Sequence, residues 1–88
     1  MISKEFTILN RHGLHARPAS QLVKIASGYV SEITLKKDGM EINGKSIMGV
    51  MMLAAEVGSS IEIITEGPDE YEAMDAISEL IQNKFGEE

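Results

Sequence analysis

With 88 residues, the chain is below the usual length of even one domain, so one fold around one core is expected, spanning residues 1–88. Fourteen acidic side chains against eight basic ones give a net charge of −6. That is the wrong sign for general nucleic-acid binding, which neutralises phosphates with clustered Lys and Arg. Cysteine is absent, which excludes disulfides and thiolate metal sites. No apolar run approaches the roughly 20 residues needed to cross a bilayer, and Met1–Glu5 lacks the apolar stretch of a signal peptide. A cytoplasmic protein with no membrane insertion is expected, with its chemistry on the surface.

Taken in chain order, Ile2, Phe6 and Ile8 share one parity and predict a short strand with one apolar face. Asn10 to Gly13 is a polar, glycine-ended loop. Ala19, Leu22, Val23 and Ala26 then recur at i, i+3, i+4 and i+7, the spacing of a helix with one buried stripe. Pro18 suits its first turn and Gly28 its C-terminal cap. Ile33 and Leu35 mark a second strand and Met40 and Ile42 a third. Asp38-Gly39 lies between them as a hairpin turn, because both residues tolerate positive φ. Ser46 reads as the N-cap of a short helix running to about Ala55, with Gly58 ending it. Ser60 to Glu66 is a fourth strand rich in β-branched residues. Gly67-Pro68-Asp69 is a loop and cap before an amphipathic helix over Glu70 to Phe85. The order β-α-β-β-α-β-α predicts a two-layer α+β fold, helices against one face of an antiparallel sheet. Strand order does not follow from the periodicity.

The stretch from Arg11 to Ser20, RHGLHARPAS, concentrates the candidate chemistry. His15 falls just before the helix and Arg17 just inside it. A helix N-terminus offers unpaired N–H groups and partial positive charge, so it favours an anion and repels an imidazolium. An uncharged imidazole has a lone pair for nucleophilic attack. A phosphoryl group captured there would meet the helix N–H groups and the Arg17 guanidinium. By position alone, His15 also reads as an ordinary loop histidine, and the residues do not choose between its two nitrogens. Arg17, a cation at the disfavoured end of a helix, is better explained by an anion that it serves. His12 reads as a solvated loop residue, with no metal-ligand spacing around it.

Gly13-Leu14-His15-Ala16-Arg17-Pro18-Ala19 resembles the active-site signature of the HPr family, the histidine-containing phosphocarriers of the bacterial phosphotransferase system. Lys45-Ser46-Ile47-Met48-Gly49-Val50-Met51 resembles that family's second signature, around its regulatory serine. The resemblance spans the whole chain and implies an open-faced β-sandwich, a four-stranded antiparallel sheet with three helices on one face. It implies that His15 accepts a phosphoryl group, at Nδ1, from phosphorylated enzyme I and donates it to sugar-permease IIA domains. Arg17 would stabilise the phosphate. The protein would then be a stoichiometric carrier and not an enzyme, needing no cofactor and no metal. In-line phosphoryl transfer needs positioning and charge stabilisation more than covalent machinery, which each partner can share.

Ser46 is a structural N-cap by position; the resemblance adds a regulatory phosphorylation site. In relatives of the low-GC Gram-positive type the partners would then include an HPr kinase/phosphorylase and a catabolite-control repressor, although a serine does not show that the source carries the kinase. The cluster Met48, Met51 and Met52 is expected to send at least one side chain toward the sheet. By resemblance, Ser20, Ile47, Met48 and Met51 form a docking patch beside the active site. Met52 either enlarges that patch or packs inward. Gly39 to Ser46 also fits the letters G-x-x-x-x-G-K-[ST] of a nucleotide-binding loop. The Met40 and Ile42 alternation assigns it to a strand instead. A regulatory docking module on the same fold is the alternative function. Relatives of that sort can lack the active-site histidine, so the presence of both His15 and Arg17 favours transfer. A monomer with one face reserved for docking is the simplest state.

Overall fold

The computed structural model describes residues 1–87. It contains strand β1 (Ile2–Thr7), helix α1 (Ala16–Ala26), strands β2 (Glu32–Lys37) and β3 (Met40–Asn43), helix α2 (Ile47–Met52), strand β4 (Ser60–Glu66) and helix α3 (Glu70–Gln82). A 3₁₀ turn follows at Lys84–Gly86. The expected element order is observed. The sheet runs β1-β4-β2-β3 with every neighbouring pair antiparallel. Alternation decides its faces: Ile33 and Leu35 of β2 and Ile61, Ile63 and Thr65 of β4 are buried, while Glu32, Thr34, Glu62 and Ile64 between them are not. The helices close the buried face, giving the open-faced β-sandwich.

The α1 stripe is as the spacing predicts, with Ala19, Leu22, Val23 and Ala26 buried. On α3 it is Ala73, Met74, Ile77 and Ile81. Each fully buried large aliphatic side chain contributes about 1.5–3 kcal/mol. The hairpin signal also holds: Asp38 (φ 51°) and Gly39 (φ 82°) are both left-handed between β2 and β3. Residues Met40–Asn43 are paired with β2, so the nucleotide-loop lettering falls on a strand and its turn.

Several ends differ from the sequence expectation. Strand β1 stops at Thr7, but the fully buried Ile8 still exchanges backbone bonds with the Ser59 carbonyl (2.9 Å) and the Gly58 amide (2.8 Å). Helix α2 ends at Met52 and not near Ala55, because Leu53 and Ala54 donate to carbonyls only three residues back and Ala54 turns left-handed (φ 51°). Buried Leu53 and Ala55 then draw the chain back into the core. Gly28 follows the Ser27 cap and donates to the Ile25 carbonyl (3.0 Å) without the positive φ that would favour glycine.

Asp69 precedes α3 yet makes no side-chain cap bond to it. Its carboxylate accepts from the Val30 and Ser31 amides (both 2.9 Å) and the Ser31 hydroxyl (2.5 Å), tying the start of α3 to the loop after α1. Those bonds, the Ser31 hydroxyl foremost, hold Asp69 below the usual carboxylate range. Helix α3 stops at Gln82 and not at Phe85, since Lys84 (φ 56°) and Phe85 (φ 55°) are left-handed. Each such residue costs about 1–2 kcal/mol. Burial of the Phe85 ring, 2% exposed, works against that cost.

Candidate functional site

The site begins in the loop between β1 and α1. Gly13 is left-handed (φ 66°), and a Cβ there would collide with the Ala55 carbonyl and lie 2.9 Å from Glu56 Cα. This close approach lets the Leu14 amide donate to the Ala55 carbonyl (2.9 Å), so the loop is fastened to the segment after α2. Leu14 is buried and the next residue, His15, is exposed. The helix starts one residue later, which makes His15 the N-cap residue itself, in extended conformation (φ −79°, ψ −171°). Its side chain makes no cap bond. Pro18 has no N–H and Ala19 donates to the His15 carbonyl (3.0 Å), which leaves the Ala16 and Arg17 amides without intrahelical acceptors. No acidic residue occupies that first turn, so the helix supplies no negative charge of its own to its positive end.

Two residues not singled out in the sequence complete the arrangement. His15 Nε2 lies 3.1 Å from Glu87 Oε2, across 72 positions of chain. The other carboxylate oxygen of Glu87 accepts from Asn10 Nδ2 (3.0 Å), and that same amide donates to the Gly13 carbonyl (2.7 Å). The Asn10 bond above all, and then the His15 ring and Arg17, hold Glu87 below the usual carboxylate range against partial burial. An ionised carboxylate only accepts, so His15 Nε2 carries a hydrogen, and in the neutral ring the lone pair is then on Nδ1. No described residue bonds Nδ1. Asn10 is fully buried, and its Oδ1 has no partner among the described residues, at a cost of about 1–3 kcal/mol for such a group.

Arg11, His12, Arg17, Gly86 and Glu87 line one cleft beside the imidazole. Arg17 thus shares a cleft with Glu87, the residue that meets the His15 ring, and Arg11 adds a second guanidinium. His12 is an exposed loop residue as expected, and its ring stands edge-on to that of His15, centroids 5.9 Å apart. Nothing in the sequence pattern pointed to Glu87, because the contact joins the two ends of the chain. Asn10 was visible only as one polar letter of a loop.

Ser46 is the N-cap of α2, its hydroxyl accepting from the Gly49 amide (3.0 Å). Neighbouring Lys45 is committed elsewhere, donating to the Tyr29 carbonyl (2.8 Å). Ile47, Met48 and Met51 are 43%, 74% and 41% exposed, and Ser20 is exposed on α1. The expectation that one of the methionines packs toward the sheet is overturned. Val50 alone in α2 is buried, and Met52 is exposed as well. A six-residue helix sends one short stripe inward, and Val50 occupies it.

A small sheet-and-helix domain thus presents an exposed imidazole at a helix N-terminus whose first turn holds no acidic residue. The profile described as "PTS HPr component phosphorylation site" matches residues 2–83. A phosphocarrier protein HPr of Cupriavidus necator is 49% identical over 87 residues, covering 99% of this chain and 98% of that one. An HPr-like protein Crh of Halalkalibacterium halodurans is 46% identical over 84 residues, covering 96% of this chain and all of that one. The crystal structure of HPr-C-His from Thermoanaerobacter tengcongensis superposes with a TM-score of 0.96 at 45% identity, over 100% of this chain and 99% of that one. The chain belongs to the HPr family of phosphocarriers of the phosphotransferase system, whose members transfer phosphoryl groups through histidine. Among the described residues no helix is long and apolar enough to cross a membrane.

Proposed function

We propose that residues 1–88 act as one cytoplasmic carrier domain in which His15 accepts a phosphoryl group from phosphorylated enzyme I and donates it to sugar-specific IIA domains. The observation that carries this reading is the exposed His15 ring at the N-cap of α1, with Nε2 engaged by Glu87 and no described residue bonded to Nδ1. In the forward step the Nδ1 lone pair attacks phosphorus and a new N–P bond forms. The bond from the donor to phosphorus breaks, its electron pair leaving with the donor. The Ala16 and Arg17 amides and the Arg17 guanidinium bind the phosphoryl oxygens. The protein is regenerated by the reverse chemistry at the acceptor, so it is a stoichiometric carrier without cofactor or metal and not an enzyme with its own turnover. Weak, short-lived docking suits such flux, and Ser20, Ile47, Met48 and Met51 supply an adaptable, partly apolar surface for both partners. A monomer leaves that surface open.

Ser46 is the regulatory position in this reading. A phosphate there adds about −1.5 to −2 charge beside the docking surface, slowing acceptance from enzyme I. An HPr kinase/phosphorylase and a catabolite-control repressor are the corresponding partners. The alternative, a docking module that regulates without carrying phosphate to sugars, is favoured by the similarity to Crh. Incubation with enzyme I and phosphoenolpyruvate, followed by mass spectrometry, separates the two. Transfer predicts an acid-labile gain of one phosphoryl group that is absent from His15→Ala. No gain with any of several enzymes I would leave the docking module.

A further inference from the structure

We infer that Asn10 is a positioning residue for His15: through Glu87 it fixes the proton on Nε2 and keeps Nδ1 as the attacking nitrogen. The inference rests on the carrier reading for its purpose, but its geometry stands apart from it.

Three observations converge. Asn10 is fully buried at the base of the loop, and its Nδ2 reaches two acceptors, the Gly13 carbonyl (2.7 Å) and Glu87 Oε1 (3.0 Å). Turning the amide over would set an oxygen against both, so its orientation is determined. Its Oδ1 meanwhile stays buried and unpartnered among the described residues. A group that leaves an oxygen unpaired is poorly chosen for stability alone, and an apolar residue would avoid the loss. Finally, the chain adopts three successive left-handed residues, Lys84, Phe85 and Gly86, immediately before Glu87. Two of these are not glycine, so the turn is held by its surroundings, chiefly the buried Phe85 ring. Unfavourable backbone and an unpaired amide oxygen therefore occur on either side of one carboxylate, the one that meets His15.

The chemistry gives that carboxylate a purpose. When Nδ1 bonds phosphorus, the ring retaining a proton on Nε2 becomes positively charged, and an anion at Nε2 stabilises it. When the phosphoryl group departs, the N–P electron pair returns to Nδ1 and neutral imidazole leaves, whereas a ring stripped of that proton would have to leave as imidazolate. A carboxylate held on Nε2–H serves both directions, and Asn10 holds the carboxylate. Among the described residues, the charged or titratable groups of the cleft beside it are Arg11, His12 and Arg17 from the loop and first turn, and Glu87 from the tail.

The test uses the full-length protein with ¹⁵N-labelled histidine. In the wild type, ring nitrogen shifts should report the Nε2–H tautomer of neutral His15. Asn10→Ala and Glu87→Gln should each mix the tautomers and slow phosphoryl acceptance about tenfold. In the double variant, Asn10→Ala should add nothing further to Glu87→Gln. Unchanged tautomer shifts in folded Asn10→Ala, or additive losses in the double variant, would overturn the inference. Should Asn10→Ala fail to fold, the wild type decides: the Asn10 side-chain amide resonance must follow the Glu87 carboxyl titration, and a resonance flat through that titration refutes the bond. Because the tautomer is read without phosphorylation, it stands or falls separately from the carrier function, which fails only if wild-type His15 accepts no phosphoryl group.

Discussion

Ser46 allows its structural and regulatory roles to be separated by two substitutions. Its hydroxyl accepts the Gly49 amide at 3.0 Å, in a helix of only six residues with one buried side chain. So short a helix has almost no intrinsic stability. Removing the cap in Ser46→Ala should cost about 1 kcal/mol, which in a domain of this size lowers Tm by about 4–8 °C. Ser46→Asp keeps a capping oxygen and places negative charge at the helix start, so its Tm should stay close to wild type. Its phosphorylation by enzyme I should nevertheless slow. A unit charge about 10 Å from an acidic partner group costs about 0.4 kcal/mol at the dielectric of water and about 1.7 kcal/mol at an effective 20, roughly twofold to twentyfold in rate. Thermal unfolding and a quenched-flow phosphorylation assay read the two effects separately. A Ser46→Asp protein that is phosphorylated as fast as wild type refutes the electrostatic account of regulation. A Ser46→Ala protein with unchanged Tm refutes the cap.

The acid limb of stability should steepen in a defined window. Glu87, Glu70 and Asp69 are all held below their ordinary values of 4.5, 4.5 and 3.8. Each contributes stability that is full above those values and is lost as pH falls through the lower, folded-state ones. Urea midpoints should be flat above about pH 5 and decline below it, and less steeply in Asp69→Asn; an identical limb in that variant would remove the Ser31–Asp69 clamp from the explanation. Gly13→Ala should destabilise by about 2–4 kcal/mol, combining a left-handed non-glycine with overpacking against Ala55. It should also slow phosphoryl acceptance, because the loop that seats His15 must move; normal urea unfolding would show that the loop yields without cost.

What the sequence reveals is set by the range of the interactions. The α1 stripe, the Asp38-Gly39 turn and the alternation in β2 and β4 are local, and each was legible because the same few residues decide it. Asp69 carries the letters of a cap, but its carboxylate is drawn to Val30 and Ser31 on a distant loop, and that choice is tertiary. The apolar period of α3 runs on to Phe85, while the chain breaks at Lys84, where neither residue type favours the left-handed region. Only the buried Phe85 ring explains it. In α2 the methionines looked like core because size and apolarity are visible in sequence, whereas which side of a six-residue helix faces the sheet is not.

The same division runs through the site. His15, Arg17 and the helix start lie within three residues, so this half was readable from the chain. Asn10 and Glu87 join across 77 positions, and no local pattern encodes them. A carrier must keep its reactive ring accessible to two partners, yet accessibility ordinarily leaves a side chain free to wander. Here the ring sits on a short exposed stretch, His15 to Arg17, between buried anchors: Asn10, Gly13 and Leu14 before it, Pro18 and Ala19 after it. The backbone beneath the ring is thus fixed from both sides, and the carboxylate of the tail fixes its rotation. Pre-organisation is supplied by buried neighbours, while the ring itself stays exposed.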